Sequence, residues 1–228
     1  MYYDLHIHSC LSPCGNDEMT INNICNMAII KGLDLISITD HNSTLNLRAL
    51  KKISESTGIK IIYGVEVQTI EEVHILGYFK TLEEILVFQK WLDDNIIKTK
   101  NKPEYFGNQL IVDENDKVIN SYDNLLLMSI NCNIEECCKT IHKYGGKVVL
   151  AHVVDRTNSI CTQLGFIPKN LKFDGIEIKN FEQKEKVENI HPWLKNKFWF
   201  INSDAHQLID ISERENFISK ESLNEFWR

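Results

Sequence analysis

Residues Tyr3 to Cys10, YDLHIHSC, place two imidazoles two positions apart inside a short apolar-rich stretch. In an extended chain, residues i and i+2 project to the same side. Asp4, His6 and His8 are therefore expected on one face of a strand, with Tyr3, Leu5 and Ile7 on the other. The apolar face can pack into a core. Three polar groups on the opposite face are costly to bury without partners. A metal ion is one partner that satisfies two imidazoles at once.

Other unusual polar residues fall at the ends of apolar runs. Asp40 and His41 follow LISIT, Glu66 follows IIYGV, His152 ends KVVLA, and Asp204 and His206 follow WFINS, while His74 opens VHILGYF. A single histidine in a strand is ordinarily a hydrogen-bonded core or surface residue. Independent core histidines have no reason to collect at one edge, however. In barrels and parallel sheets the C-terminal strand ends converge on one site. Histidines and carboxylates meeting there point to a multinuclear metal centre. His142, within a helical pattern, and His191, before Pro192, lie outside the scheme and read as ordinary polar residues.

The elements that must position these groups alternate. Expected strands are 2–8, 33–39, 59–67, 73–79, 147–153, 173–179 and 197–203, several of them Ile- and Val-rich as in strands buried on both faces. Between them lie helical patterns: one after Thr20 that stops at Gly32, one ending at Gly58, one opening on the capping box Thr81 to Glu84, and one closed by Gly145 and Gly146. Alternation of this kind predicts an α/β fold with a largely parallel sheet, and seven strands suit a barrel better than a short open sheet. Residues 101–131 break the rhythm. They read as an insertion that could cover a site, with QLIVDENDKVIN as a hairpin turning at Asp113 to Asp116. DENDK lacks the glycine and closing glutamate of a calcium loop and reads as a solvated turn.

The 228 residues suit one domain of barrel size. No apolar run approaches the roughly 18 residues of a membrane span, and the first residues do not read as a signal peptide. Seven cysteines, odd in number and with Cys137 and Cys138 adjacent, are not a disulfide framework and point to a reducing cytoplasm. A net charge of −7 argues against a broad nucleic-acid-binding face, though not against a small phosphorylated ligand held by metal.

With DLHIHS, ITDHN, GVEV, VHILGYF, AHV and SDAH in that order, the sequence resembles the PHP (polymerase and histidinol phosphatase) family. The resemblance implies a distorted seven-stranded (βα) TIM-like barrel spanning the chain as one domain. It also implies a phosphoesterase site with two or three divalent ions, zinc, manganese or iron. By that likeness His6, His8, Glu66 and Asp204 hold one metal. Glu66 bridges to a second, completed by His74 and His152, and His41 and His206 hold a third. Many family members complete the third site with a histidine or aspartate soon after HxH. Here the stretch is SCLSPCGNDEM, so Cys14, as thiolate, or Asp17, for a harder metal, stands in that role; either can equally be an ordinary loop residue. Asp40 and Asp4 are expected behind the ligands, orienting them. LSPCGNDEMT resembles standalone PHP proteins with no polymerase attached.

Such a site hydrolyses a phosphoester by in-line attack of a metal-activated hydroxide, with Glu66 and Asp204 essential. Arg156 is the first choice for a cation that meets the phosphate, and Lys179 the second; a solvated or salt-bridged charge is the plain alternative for both. The shortage of basic clusters favours a small phosphomonoester or the end of a short oligonucleotide over long nucleic acid. Two rival readings remain open at this point. One is an amidohydrolase-like enzyme acting on C–N bonds, though its usual bridging lysine has no counterpart here. The other is a non-catalytic, metal-stabilised interaction module.

Overall fold

The structure is a computed structural model that describes all residues, 1–228. Its strands are β1 (Tyr3–Ile7), β2 (Leu35–Ile38), β3 (Lys60–Ile61), β4 (Tyr63–Gln68), β5 (His74–Phe79), β6 (Leu110–Val112), β7 (Val118–Ser121), β8 (Lys147–Leu150), β9 (Gly175–Ile178) and β10 (Phe198–Ile201). The helices are α1 (Ile21–Ile30), α2 (Leu47–Thr57), α3 (Leu82–Asn95), α4 (Pro103–Phe106), α5 (Ile134–Lys143), α6 (Ile160–Leu164), α7 (Phe181–Ile190) and α8 (Lys220–Phe226). The capping box at Thr81 and Glu84 forms as expected, and Gly58 and Gly145 end their helices in the left-handed region. No helix is long and apolar enough to cross a membrane.

The expected closed, seven-stranded barrel is not what forms. There are three sheets: β1-β2-β3, the mixed sheet β10-β9-β8-β5-β4, and the hairpin β6-β7. The first two meet only through single bridges, Ile7 to Ala205 at one seam and His41 to Glu66 at the other. Two features account for this. The single strand expected over 59–67 breaks at Ile62 into β3 and β4, and β3 pairs with β2 for only two residues. In addition β5 runs antiparallel to both β4 and β8, so the mixed sheet is not built of repeated parallel crossovers. Only five residues, Thr69 to Val73, join β4 to β5. A parallel crossover needs a dozen or more.

The strict alternation expected of β1 also fails. Its register against β2 shifts between Asp4 and Ile7. Tyr3 and Leu5 consequently pack in a cluster of 11 buried residues with Leu76, Tyr78, Phe200 and Phe226, while Ile7 joins a separate core of 45. The larger core sets Ile24 of α1, Leu50 of α2, Phe88 of α3 and Ile141 of α5 against Ile36, Val65, Ile75 and Val148 of the strands. Burial of each such side chain contributes about 1.5–3 kcal/mol. All seven cysteines are free thiols.

Residues 101–131 fold as α4 and the β6-β7 hairpin, with the predicted turn. The turn is not merely solvated. Asp116 accepts hydrogen bonds from the Asn22 backbone N–H and from Thr20 Oγ1, at 3.0 and 2.7 Å. Thr20 makes no side-chain cap of its own to α1, so the hairpin caps that helix from outside. The segment also grips the loop after β1. Leu110 N–H donates to the Cys10 carbonyl, Asn108 to Asp17, and Gly107 lies so close over Pro13 that a Cβ there would sit 2.0 Å from its carbonyl oxygen.

Candidate metal centre

The fold brings the histidines and carboxylates to one edge. His6 and His8 come from the end of β1, His41 from just beyond β2, Glu66 from β4, His152 from just beyond β8, and Asp204 and His206 from beyond β10. His74 starts a strand instead of ending one. Because β5 is reversed, its first residue lies at the edge where its neighbours finish, directly paired with Gln68. His152 and Asp204 adopt φ of +28° and +55°. Backbone in that region costs about 1–3 kcal/mol for residues other than glycine and is found where a site demands a particular direction.

Glu66, 1% exposed, is the hub. Its Oε1 lies 3.0 Å from His74 Nδ1, 3.1 Å from His152 Nε2 and 3.3 Å from His6 Nε2; its Oε2 lies 3.0 Å from His41 Nδ1 and 3.4 Å from His8 Nε2. Asp204 Oδ1 completes the arc, 3.4 Å from His6 Nε2 and 3.2 Å from His8 Nε2. Burial alone would raise the pKa of both carboxyls. The imidazoles around them outweigh it and hold both below their usual range. The two strand histidines diverge. Burial opposes a charge on His6, but Glu177, Glu66 and Asp204 raise its pKa well above the ordinary value. Burial, with His41 and His206 nearby, pushes His8 well below it.

A buried layer behind these groups sets their tautomers. His6 Nδ1 faces both oxygens of Glu177, at 3.1 and 2.9 Å, so it carries a proton and Nε2 is the nitrogen left to face a cation in the centre. Glu177 is held in turn by the His152 N–H and by Asn202. His8 Nδ1 meets Ser12 Oγ at 3.0 Å, and Ser12 donates its own proton to Asp40 at 2.7 Å. Asp40 thus acts on His8 through a hydroxyl, and it also accepts from Ser9. Asp4 touches no histidine ring. It accepts from the backbone N–H groups of Ser203 and Ser212 and so braces the segment that carries Asp204. Glu177 and Ser12 stand outside the set that the sequence pattern marks. The signal for Glu177 was a lone carboxylate inside the apolar run FDGIEIK.

Cys14 and Asp17 part company. Ligand atoms of His8, Cys14, His41 and His206 lie within 4.8 Å of one another. Burial would raise the Cys14 thiol, but hydrogen bonds with His206 and His41 outweigh it and lower the pKa to about 7. Asp17 instead accepts from Asn108 at 2.7 Å and joins no such group. His41 belongs to two groups, since it also lies with Glu66 and His74.

Two adjoining cavities open beside the cluster. One, about 180 Å³, is lined by His41, Glu66, His74, His152, Asp204 and His206, with Arg156 at its margin. The other, about 290 Å³, shares His152, Arg156 and Asp204 and adds Lys179, Gln183 and Asn202. Arg156 Nη2 lies 3.2 Å from Asp204 Oδ2, with its side chain 60% exposed.

These residues fit divalent cations. Glu66 Oε2, His41 Nδ1 and His152 Nδ1 are buried without a hydrogen-bond partner. Glu66 Oε2 and His41 Nδ1 stand 3.0 Å apart yet are not aligned for a hydrogen bond. His6 Nε2 and His8 Nε2, the ring nitrogens turned inward by the contacts above, come within 3.2 Å of each other, a gap that a proton on His6 or a cation would fill. Lone pairs that converge on one gap are satisfied by a cation between them.

A family model for the PHP domain matches residues 4–169. The chain is 33% identical over 82 residues to phosphoribosyl 1,2-cyclic phosphate 1,2-diphosphodiesterase of Eggerthella lenta, an alignment that covers 34% of this chain and 30% of that protein. Its fold is similar to that of the lesion-specific endonuclease PfuEndoQ of Pyrococcus furiosus, with a TM-score of 0.66, 19% identity, and coverage of 98% of this chain and 54% of the other. It is also similar to a Bifidobacterium adolescentis protein assigned as a metal-dependent phosphoesterase, with a TM-score of 0.65, 18% identity, and coverage of 98% and 94%. The chain therefore spans about half the length of the endonuclease and less of the diphosphodiesterase. It belongs to the PHP domain family.

Proposed function

We propose that this chain is a metal-dependent hydrolase of phosphoester bonds, acting on a small phosphomonoester or on the end of a short oligonucleotide. The observation that carries the reading is Glu66, one carboxylate whose two oxygens face five imidazoles. Bound divalent cations supply a lowered pKa for the attacking water and neutralise charge developing on the phosphoryl group. His6, His8, Glu66 and Asp204 hold one ion. Glu66 with His74 and His152 holds a second, and His41, His206 and Cys14 a third. A thiolate in the third group favours zinc or iron over magnesium there.

The rest of the chemistry belongs to the chain. Glu177 and the Asp40–Ser12 pair fix His6 and His8 with their lone pairs forward. Arg156 leaves Asp204 to place its planar donors on the phosphoryl oxygens, and Lys179 approaches the remainder of the substrate from the adjoining cavity. The cavity sizes suit one phosphoryl group and one small leaving group. We take residues 1–228 as one unit in which 101–131 braces the Cys14 loop.

The test is metal analysis of the purified protein, followed by phosphomonoesters, phosphodiesters and amides supplied with manganese, zinc or iron. Phosphate release that depends on added metal is the expected result. Turnover of amides alone points to a C–N hydrolase, and tightly held metal with no turnover of any substrate to an interaction module; either overturns the proposal.

A further inference from the structure

The loop that carries His41 is buried throughout Asp40 to Thr44, and again at Asn46. Connecting segments ordinarily run over the surface, because a buried one must find partners for all its polar groups. Two asparagines supply many of them here. Asn42, fully buried, directly follows His41 and has φ +47°, a left-handed conformation that asparagine enters more readily than most residues. Its side-chain amide is engaged at both ends. Nδ2 donates to the carbonyls of Leu126 and Met128, at 2.8 and 2.9 Å, and Oδ1 accepts from the Gln68 backbone N–H at 3.0 Å. Its own backbone N–H donates to the Glu66 carbonyl at 2.8 Å.

The other end of the loop is fastened in the same way. Asn46 Nδ2 donates to Ser9 Oγ and to the Leu110 carbonyl, at 3.0 and 3.1 Å, and its Oδ1 accepts from the Val112 N–H at 3.0 Å. Segment 101–131 therefore holds the His41 loop at two points, one near each of its own ends. The same segment grips the loop of Cys14. Gln68 extends the contact to a third ligand: its Nε2 donates to Ser129 at 3.2 Å, and its Oε1 meets His74 Nε2 at 3.1 Å.

We infer that Asn42 is a positioning residue for the metal centre. Its amide is spent on Leu126, Met128 and Gln68, so it offers the centre no ligand. It holds His41 in register with Glu66 and makes the ion of His41, Cys14 and His206 depend on the order of residues 125–131. A residue without the amide leaves two carbonyls lacking their donor, and aspartate sets a third acceptor against them. Binding free energies are reciprocal, so an ion that needs 126–128 in place also keeps them in place. The inference rests on the metal centre proposed above and is indifferent to its substrate.

Two glycine variants test it. Asn42→Gly removes the amide at a position whose positive φ glycine accepts without strain. Asp116→Gly, at φ +59°, removes the anchor of the same segment on α1 instead. In a cobalt titration, Asn42→Gly binds the ion that gives the thiolate-to-metal absorption about 10- to 100-fold more weakly than the parent, and Asp116→Gly binds it as the parent does. Parental affinity for that ion in Asn42→Gly, or an equal loss in both variants, overturns the inference. A parent that takes up no cobalt overturns the metal centre itself and this inference with it. Hydrogen exchange of the parent gives a reading that needs no variant to fold. Zinc slows exchange of the 125–131 backbone amides by about fivefold or more. Equal rates with and without zinc, in protein that has bound it, overturn the coupling.

Discussion

His6 Nδ1 lies 2.9 Å from the carboxylate of Glu177, a residue 171 positions further along the chain and 3% exposed. The contact joins β1 to β9 beneath the metal centre and fixes which nitrogen of His6 faces it. Glu177→Gln keeps the size but replaces one oxygen with an N–H₂ group facing donors from His6, Asn202 or the His152 backbone. Metal affinity should fall about 10- to 100-fold with little change in fold. Equilibrium dialysis against zinc or manganese measures it, and an unaltered binding isotherm would remove Glu177 from the account.

Glu66 is the group on which the centre depends. Glu66→Ala, and separately Asp204→Ala, should abolish phosphoester hydrolysis and leave purified protein with sub-stoichiometric metal. Elemental analysis and a turnover assay on the same preparation decide the matter. Full metal occupancy with parental turnover would falsify the ligand assignment.

Gly107 has φ +98°, and a Cβ there would meet the Pro13 carbonyl at 2.0 Å. Gly107→Ala should destabilise the protein by about 2 kcal/mol and displace the loop that carries Cys14. Gly58→Ala is the control, since Gly58 has φ +79° but nothing within 4 Å of the added carbon, so only the smaller backbone cost of about 1 kcal/mol remains. With cobalt as a spectroscopic probe, Gly107→Ala should lose the thiolate-to-metal absorption and Gly58→Ala keep it. Identical spectra and denaturation midpoints for the two variants would refute the coupling between the hairpin segment and Cys14.

Asp174 gives a pH signature away from the metal centre. Burial would raise its pKa, but hydrogen bonds from His142, the Val148 N–H and Lys147 outweigh it and lower the value. A carboxyl whose pKa is lower folded than unfolded stabilises the protein above its unfolded pKa, and that stabilisation disappears as pH falls through the folded value. Urea midpoints of the parent and Asp174→Asn should therefore differ at pH 6 and converge under strongly acidic conditions, below the usual carboxylate range. A constant gap across that interval would show that Asp174 acts without titrating.

Much of the centre was legible in the sequence because histidines and carboxylates interrupted apolar runs at one end. His6, His8, His41, Glu66, His74, His152, Asp204, His206 and Cys14 all reach it. The closed parallel barrel was the wrong extrapolation from the same runs. Thr69 to Val73 is too short for a crossover, and that spacing already signalled a hairpin. The register shift in β1 leaves no trace in residue types, so alternation misassigned the company of Tyr3, Leu5 and Ile7. Asp17 was drawn off by Asn108, a partner 91 positions away.

The five-residue link between β4 and β5 divides the chain into places that tolerate a change of length and one that does not. Gln68 and His74 are rungs of a single ladder, and Glu66 stands two residues before the turn on the same ladder. Residues added to the outer connections leave this ladder's register as it is, as the excursion between α3 and α5 does. One residue added within Thr69 to Val73 would slide the two walls of the centre past each other. Drift in length among related chains, and any attempt to graft a new specificity loop, is accordingly safest in those outer connections.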